Sequence, residues 1–550
     1  MTPAVFEWRP LESSIVEDFF HVDGNSWSYK FASNEEELPH RLFFPLCSSP
    51  ALSVSPLQKI TKMTSSGSAT GPHALFVTAP YQGHFAPAVD LAIKLAARGF
   101  VVTFACTEAF QHQRTASGAS SADHRDVFAG ARSRGLDIRY ELVSDGLPVS
   151  FDRHSHPEQF YSALLHLLPS HVDELIRKLL LSEAPVDFIL TDTFFSWAST
   201  LAKNHGLPCV SFWTKPALVF TLYYHMDLLI ANGHFASPEN RKDTITYIPG
   251  IPAIETTDLA SYLRETDTTT PLQQMIARSF EEVKRCDIVL ANTVQELEEE
   301  TIAVLQQEQP FYAVGPVFPD GFTGGTVMTS LWPESDCSSW LDSMPPSSVL
   351  YVSFGSIASV SKKDFEEIAY GVLNSKANFV WVLRPGSSSS GAANPLPQGF
   401  LEASRERGMV VPWCRQREVL QHPAVGAFLT HCGWNSVAES MWCGVPMLCF
   451  PLFSDQPPNR KLVVENLGIG MDLGEIGEVS RGKVSSRIDD LMGGEGGAEL
   501  RRKMKEVKKA VQGAVAPHGS SQKNLDQFTA DLLGLLSQKK ASAVTETKRS

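Results

Sequence analysis

The sharpest chemical pattern in the sequence is the stretch AFLTHCGWNSVAES, residues 427–440. A strand is predicted to stop at Thr430, and after a tight turn a helix is predicted to begin near Asn435 or Ser436. The first turn of a helix presents unpaired N–H groups and a positive dipole end, which together bind anions. Asn435 and Ser436 would also cap a helix that binds nothing, so the spacing alone leaves both interpretations open.

The residues around this turn favour the anion site. The imidazole of His431 can donate to a phosphate oxygen, and the carboxylate of Glu439, one turn along the helix, can accept two sugar hydroxyls. A diphosphate beside a ribose fits this combination, which therefore predicts a nucleotide site. A dinucleotide fingerprint is absent, because the glycines Gly468, Gly470 and Gly474 do not have the required spacing.

Four more polar side chains follow predicted strands. His84 lies in the loop after HALFVTA, Asp192 follows VDFILT, Thr214 follows CVSFW and Ser356 follows SVLYVSFG. Ligands of open parallel sheets bind beyond the carboxyl ends of the strands, so all four side chains are predicted to lie where a ligand would bind. Each has an ordinary alternative, since His84 could be a surface or packing residue and Asp192 a helix cap.

The elements that would position these residues alternate between strand and helix. A helix is predicted to open at Pro87 and to close at Gly99. The predicted strands are HALFVTA, FVVTFA, VDFILT and CVSFW in the first half, and SVLYVSF, NFVWVLR, GMVVP, VGAFLT and VPMLCF in the second. This alternation predicts an α/β fold class of two facing, Rossmann-like doubly wound parallel-sheet domains.

Composition changes along the chain suggest the domain boundaries. The region before Gly71 ends in a Ser/Thr/Gly-rich run, and a stretch rich in Pro, Gly and Thr separates the two sets of strands. We predict a disordered N-terminal extension (1–71), a first domain (72–318), a linker (319–336), a second domain (337–515), a C-terminal helix packed back on the first domain (516–538) and a frayed tail (539–550).

Composition also excludes several classes of function. With 47 basic and 61 acidic residues among 550, the net charge of -14 repels nucleic acid. No apolar run is long enough to span a membrane, and the acidic first forty residues resemble neither a signal nor a transit peptide. The nine cysteines include no Cys-x-x-Cys pair. We therefore expect a cytoplasmic, monomeric protein with free thiols.

The stretch from Trp413 to Gln456, WCRQREVLQHPAVGAFLTHCGWNSVAESMWCGVPMLCFPLFSDQ, resembles the signature box of plant UDP-sugar-dependent glycosyltransferases that act on small molecules. The likeness extends over PYQGHFAP, SDGLP, ILTDTF, FWT, ANTVQELE, YAVGP, WLD and VSFGS, and so covers about residues 72–535. It implies the GT-B fold, with acceptor bound mainly by the first half, donor mainly by the second, and the active site in the cleft between the two domains. Arg415 departs from the family's common Pro, and we expect it to alter the turn after Trp413 slightly.

The resemblance also implies roles for the site residues. His84 would be the general base and Asp192 would hold its far nitrogen, while Trp413 would stack on uracil. Gln416 would contact the base edge or ribose, and Glu439 the ribose hydroxyls. The diphosphate would be held by His431, Asn435, Ser436 and Ser356, and the sugar by Thr214, Trp434, Asp455 and Gln456.

The implied reaction is an inverting transfer of a hexose from a UDP-sugar to a hydroxyl or carboxyl of a small plant metabolite. A Gln at position 456 favours UDP-glucose over UDP-galactose. We expect no metal or other cofactor, since no carboxylate pair in the box has metal-ligand spacing and no tight spacing joins the histidines His154, His156, His166 and His171.

Two other functions stay open from the residues alone. A binding protein of the same fold would need the box but not His84, and a nicotinamide oxidoreductase would need the absent glycine fingerprint. The acceptor is not specified, because the apolar stretches LLHLLPSHVDELI, TFFSWAS and PALVFTLYYHMDLL could be walls of an acceptor pocket or ordinary core.

Overall fold

Each predicted half contains a parallel β-sheet covered by helices, as seen in a computed structural model that describes residues 71–116, 126–237, 241–319, 321–323, 332–384 and 395–547. The α/β fold class is thereby confirmed. The predicted N-terminal extension lies outside the described residues, apart from Gly71, and the predicted linker lies partly outside them. None of the helices within the described ranges has both the length and the apolar character needed to cross a membrane.

The first half contains a seven-stranded parallel sheet in the order β3-β2-β1-β4-β5-β8-β9, and a separate two-stranded antiparallel ribbon of β6 and β7. Its central strands are apolar on both faces and fully buried, as expected for strands that helices cover on each side. The strands are β1 (His73–Val77), β2 (Val101–Thr107), β3 (Ile138–Val143), β4 (Phe188–Asp192), β5 (Cys209–Trp213), β6 (Thr244–Ile245), β7 (Ile254–Glu255), β8 (Ile288–Ala291) and β9 (Phe311–Ala313).

The helices of the first half connect these strands. They are α1 (Gln82–Ala97), α2 (Glu108–Ala116), α3 (Ala129–Ser133), α4 (Pro157–His166), α5 (Leu168–Leu180), α6 (Ala198–Asn204), α7 (Ala217–Tyr224), α8 (Met226–Ala231), α9 (Ser261–Arg264), α10 (Pro271–Val283) and α11 (Glu299–Glu308). The predicted opening of α1 at Pro87 is wrong, because the helix begins at Gln82 and Pro87 lies inside it. His84 therefore lies in the first turn of a helix and not in a loop.

The second half contains a six-stranded parallel sheet in the order β12-β11-β10-β13-β14-β15. Its strands are β10 (Val349–Ser353), β11 (Asn378–Val382), β12 (Gly408–Val411), β13 (Val425–Thr430), β14 (Met447–Cys449) and β15 (Gly470–Asp472). Its helices are α12 (Ser338–Asp342), α13 (Lys362–Asn374), α14 (Phe400–Ala403), α15 (Gln416–Gln421), α16 (Trp434–Cys443), α17 (Gln456–Lys461), α18 (Arg481–Gly493) and α19 (Glu495–Val515).

The last helix, α20 (Ser520–Thr547), returns to the first half. Its buried face, formed by Leu525, Phe528, Leu532 and Leu536, belongs to the same apolar cluster as β1 and β2. The helix runs past residue 538, where a frayed tail was predicted to begin. Among the side chains of α20 whose burial is described, those up to residue 542, Leu536 is the last that is buried, while the helix continues through Lys, Ala and Ser residues.

Both sheets reverse their strand order at one point. In the first sheet the order changes direction between β1 and β4, and in the second between β10 and β13. Loops that follow strands on the two sides of such a point diverge and leave a crevice at the carboxyl ends of the strands. The predicted site residues that follow β1 and β4 therefore lie at the crevice of the first sheet, and those that follow β10 and β13 lie at the crevice of the second.

Candidate active site

A cleft of about 750 Å³ lies between the two halves, at the carboxyl ends of both sheets. Every predicted site residue except Asp192 lines this cleft. The lining residues that the sequence predicted are His84, Thr214, Ser356, Trp413, Gln416, His431, Trp434, Asn435, Ser436, Glu439, Asp455 and Gln456.

His84 and Asp192 form a hydrogen-bonded pair on the wall that belongs to the first half. Nδ1 of His84 lies 2.6 Å from Oδ2 of Asp192, which is buried behind the ring at the end of β4. The other carboxylate oxygen of Asp192 accepts from the backbone N–H of Phe194, which fixes its orientation. A carboxylate can only accept, so Nδ1 carries the proton and Nε2 is left as the basic nitrogen.

Pro87 creates an unusual feature in helix α1. Proline has no N–H, so the carbonyl of Gly83 lacks the intrahelical donor that residue 87 would otherwise supply. Nδ2 of Asn435 donates to this carbonyl at 3.0 Å from the other side of the cleft. The helix that carries His84 is thereby joined to the first turn of α16.

His431, in the turn between β13 and α16, packs closely against two glycines, Gly355 and Gly433. A Cβ atom added to Gly355 or to Gly433 would lie 2.4 Å from Nε2 of His431, so neither position accepts a side chain without moving the imidazole. Burial lowers the pKa of His431 to about 4, so the ring is neutral near pH 7 and retains a single N–H donor. Ser356 and Ser436 line the same cleft as this ring.

Glu439 is held by the two residues that begin α15. Its Oε2 accepts from Nε2 of Gln416 at 2.8 Å and its Oε1 accepts from Nε of Arg417 at 2.9 Å. Gln416 also donates to the hydroxyl of Ser436 and accepts from the hydroxyl of Tyr351. The remaining lone pairs of the Glu439 carboxylate are available to a ligand in the cleft.

Trp413 and Trp434 each make a contact within the protein besides any contact with a ligand. The ring of Trp332 packs against that of Trp413, with centroids 4.7 Å apart. Trp434 donates its indole N–H to the carbonyl of Asn292 in the first half, at 2.6 Å. The indole N–H of Trp434 is therefore already used, so the hydrogen-bond donor that this residue retains for a ligand is its backbone N–H in the first turn of α16.

Arg415 lies in the turn after Trp413 and directs its side chain to the surface. Its φ of -75° is close to the value that a proline imposes, and its side chain pairs with Glu334 and Glu418. The expected slight change of this turn relative to the family stays a prediction.

Asp455 and Gln456 are oriented by several hydrogen bonds. Oδ1 of Asp455 lies 3.1 Å from Nζ of Lys215, and Oδ2 accepts from Nδ2 of Asn459. Burial opposes ionisation of Asp455, but Lys215 and Asn459 outweigh it and hold the pKa of the carboxyl below its usual value. Oε1 of Gln456 accepts from the backbone N–H groups of Leu452 and Phe453, which leaves its amide N–H₂ for the cleft.

The acceptor side of the cleft differs from the apolar walls considered in the sequence. Of those three stretches only Phe194 lines the cleft, whereas α7 is buried in the core. Aromatic and apolar side chains that the sequence reasoning missed form the wall instead: Tyr81, Tyr161, Tyr262, Leu272, Met275 and Ile276. Lys215 was also missed, although its position directly after Thr214 could have indicated it.

No metal-binding constellation is evident in the described part of the chain. Within those ranges, no three His, Cys, Asp or Glu side chains form a group that could hold a metal ion.

Comparison with known proteins gives consistent matches. A family model described as UDP-glucoronosyl and UDP-glucosyl transferase matches residues 171–495. The chain is 52% identical over 464 residues to UDP-glycosyltransferase 86A2 of Arabidopsis thaliana, covering 84% of this chain and 94% of that protein. It is 34% identical over 487 residues to 7-deoxyloganetin glucosyltransferase of Catharanthus roseus, covering 85% and 97% respectively.

Comparison with solved structures gives matches to the same class of enzyme. A UDP-glucosyltransferase of Polygonum tinctorium that glucosylates indoxyl superposes with a TM-score of 0.70 at 27% identity, over 85% of this chain and 99% of that one. A Medicago truncatula protein in complex with UDP-glucose gives a TM-score of 0.70 at 25% identity, over 84% and 98%.

Proposed function

Because the chain belongs to the family of UDP-glucuronosyl and UDP-glucosyl transferases, we propose that it transfers glucose from UDP-glucose to a hydroxyl or carboxyl of a small plant metabolite, inverting the anomeric carbon. The membership confirms the predicted class of enzyme, a UDP-glycosyltransferase, and the predicted GT-B fold. The observation that carries the finer proposal is the His84–Asp192 pair, which faces the signature-box residues across a single cleft.

In the proposed mechanism His84 acts as general base through Nε2. It takes the proton of the acceptor hydroxyl as that oxygen attacks the anomeric carbon, a role worth about 10² to 10⁴ in rate. Asp192 keeps the proton on Nδ1 and stabilises the imidazolium that forms. UDP leaves from the opposite face of the sugar, so the configuration inverts and no covalent glycosyl-enzyme intermediate forms.

Negative charge grows on the β-phosphate as UDP leaves. The N–H groups at the start of α16, the neutral imidazole of His431 and the hydroxyls of Ser436 and Ser356 would stabilise that charge. These donors are fixed before the reaction, so the proposed mechanism assigns no step to a metal ion.

The proposed donor site follows the cleft from base to sugar. Uracil would stack on Trp413, the ribose hydroxyls would donate to Glu439, and glucose would contact Asp455 and Gln456. The proposed acceptor is flat or terpenoid-like, since Tyr81, Phe194 and the other apolar side chains described above surround the entrance to His84. Two of the proteins named above are described by different small-molecule acceptors, 7-deoxyloganetin and indoxyl, which supports a small-molecule acceptor for this chain.

The test is a screen of small phenols, terpenoid alcohols and carboxylic acids with UDP-glucose, read as the mass gain of one hexose. We expect a product with inverted configuration by NMR, formed equally well with and without a chelator. His84→Ala should abolish transfer while UDP affinity, measured by calorimetry, stays within about threefold. His154→Ala is the matched control, because His154 is exposed and lies outside the cleft.

Three outcomes would contradict the proposal. UDP binding without transfer to any acceptor would favour a binding protein of the same fold. Loss of UDP affinity and activity together in His84→Ala would give His84 a structural role. A strict metal requirement would remove the proposed means of charge stabilisation.

A further inference from the structure

Arg417 bridges the two halves at the ribose end of the cleft. It follows Gln416 at the start of α15, and its Nε donates to Oε1 of Glu439 at 2.9 Å. Its terminal nitrogen lies 3.5 Å from Oδ2 of Asp90, which is buried on helix α1 in the first half. The guanidinium also lies over the rings of Phe318 and Phe322, 5.0 and 5.8 Å from their centroids. The family resemblance assigned it no role.

These contacts determine how Glu439 can meet a ligand. A carboxylate that is to accept two vicinal hydroxyls has to be ionised and has to hold its plane toward them. Gln416 fixes one oxygen and Arg417 the other, so the plane of the Glu439 carboxylate is set by two consecutive residues. Arg417 is also the cation that offsets its charge in a buried setting.

Asp90 holds Arg417 from the opposite side. Burial raises the pKa of Asp90 to about 6, with Arg417 as the largest opposing influence. Asp90 lies on the same helix as His84, six residues further along and so about 9 Å along the axis. The planar, forked guanidinium can contact both carboxylates at once, which a lysine ammonium does less well.

We propose that Arg417 is a positioning residue that holds Glu439 in the orientation that accepts the ribose hydroxyls, and that Asp90 anchors Arg417 from the first half. This inference rests on the proposed function, because it takes the ribose contact of Glu439 from there. Arg417 acts through Glu439 and touches no reacting atom. Its removal should therefore affect recognition of the nucleotide much more than the chemical step.

The test compares two nucleotides that differ only in the ribose hydroxyls. Calorimetry on the full chain measures the affinity of wild type, Arg417→Met and Arg417→Lys for UDP and for 2′,3′-dideoxy-UDP. We expect Arg417→Met to weaken UDP binding about 10-fold or more and dideoxy-UDP binding less than about twofold, because the lost orientation matters only to hydroxyls. Arg417→Lys should restore part of the UDP affinity. KM for UDP-glucose should rise while kcat stays within about twofold.

Glu439→Gln provides the double-mutant cycle. Arg417→Met should add little to the loss of UDP affinity already caused by Glu439→Gln, since both changes remove the same contact. Asp90→Asn, which preserves shape, covers the case in which Arg417→Met fails to fold. It should weaken UDP binding about twofold to fivefold and leave dideoxy-UDP binding unchanged.

The outcomes separate this inference from the proposed function. Equal losses for both nucleotides in Arg417→Met, with transfer activity intact in wild type, would overturn the positioning role alone. An Asp90→Asn variant with wild-type UDP affinity would overturn the anchoring by Asp90. A wild-type protein that does not bind UDP would overturn the proposed function itself.

Discussion

Gln456 uses the two ends of its side chain for different purposes. Its carbonyl oxygen accepts two backbone N–H groups and so shapes the loop between β14 and α17, while its amide N–H₂ is left for the cleft. Glu439, Asp455 and His84 likewise each have a partner that fixes them before any ligand arrives. Prior orientation of this kind reduces the entropic cost of binding the donor.

The donor preference can be tested at Gln456. Gln456→Glu retains an acceptor oxygen for the two backbone N–H groups of the loop but cannot donate, so we expect kcat/KM for UDP-glucose to fall about tenfold with little change in Tm. Gln456→His should raise the ratio of kcat/KM for UDP-galactose to that for UDP-glucose, by about tenfold. Steady-state kinetics with both donors measures the ratio. An unchanged ratio in Gln456→His would argue against a contact between this residue and the sugar.

At the scale of elements, the turn between β13 and α16 depends on close packing. Gly433 has a φ of -62°, which any residue adopts, so its glycine is required only because His431 lies where a Cβ would be. The strands around this turn were predicted within one or two residues, because buried parallel strands are continuous apolar runs. Gly433 is required because of its close contact with the His431 ring, and the spacing of residues in the sequence does not predict that contact.

Gly433→Ala should therefore displace the imidazole. We expect UDP affinity to fall about tenfold and the free energy of unfolding to fall by about 1–3 kcal/mol, as overpacking does. Gly534→Ala is the matched control, since a Cβ at that position in the middle of α20 meets nothing within 4 Å. It should raise the free energy of unfolding by about 0.5–1 kcal/mol and leave UDP binding unchanged. UDP affinity within twofold of wild type in Gly433→Ala would contradict the proposal that close packing against Gly433 positions the His431 imidazole for binding.

The misassigned start of α1 shows why some element boundaries are not predictable. Proline is typical of a first helical turn, which favoured Pro87 as the opening residue. The helix in fact starts at Gln82, and Asn435, distant in sequence, donates to the carbonyl of Gly83 that Pro87 leaves without an intrahelical donor. The half-buried edge strand β3, IRYELV, was missed because its polar side chains obscure the apolar pattern of a strand.

Over the whole molecule, contacts between the halves surround the cleft. Trp434 bonds to Asn292, Lys215 pairs with Asp455, and Arg460 pairs with Asp258. The fold class and most of the residues lining the donor side were available from the sequence, because box motifs are local. The acceptor wall and these bridging contacts were not, because they join residues that only the packing of two sheets brings together.

The pH dependence of stability tests the burial of His431. Its pKa is about 4 in the folded chain and 6.5 in the unfolded chain, so between these values the unfolded state binds more protons. Its contribution to stability is therefore fully present above about pH 6.5 and is lost as pH falls toward 4, by about 2 kcal/mol between pH 7 and 5.

A comparison of wild type with a His431 variant isolates this contribution. Asp90, with a pKa raised to about 6, contributes to the pH dependence in the opposite sense, but it is present in both proteins and cancels from their comparison. We expect His431→Gln to lose about 2 kcal/mol less than wild type between pH 7 and 5 in denaturant titrations. An equal pH dependence of stability in His431→Gln and wild type would mean that the pKa of His431 is the same in the folded and the unfolded chain, which its enclosure by Gly355 and Gly433 opposes.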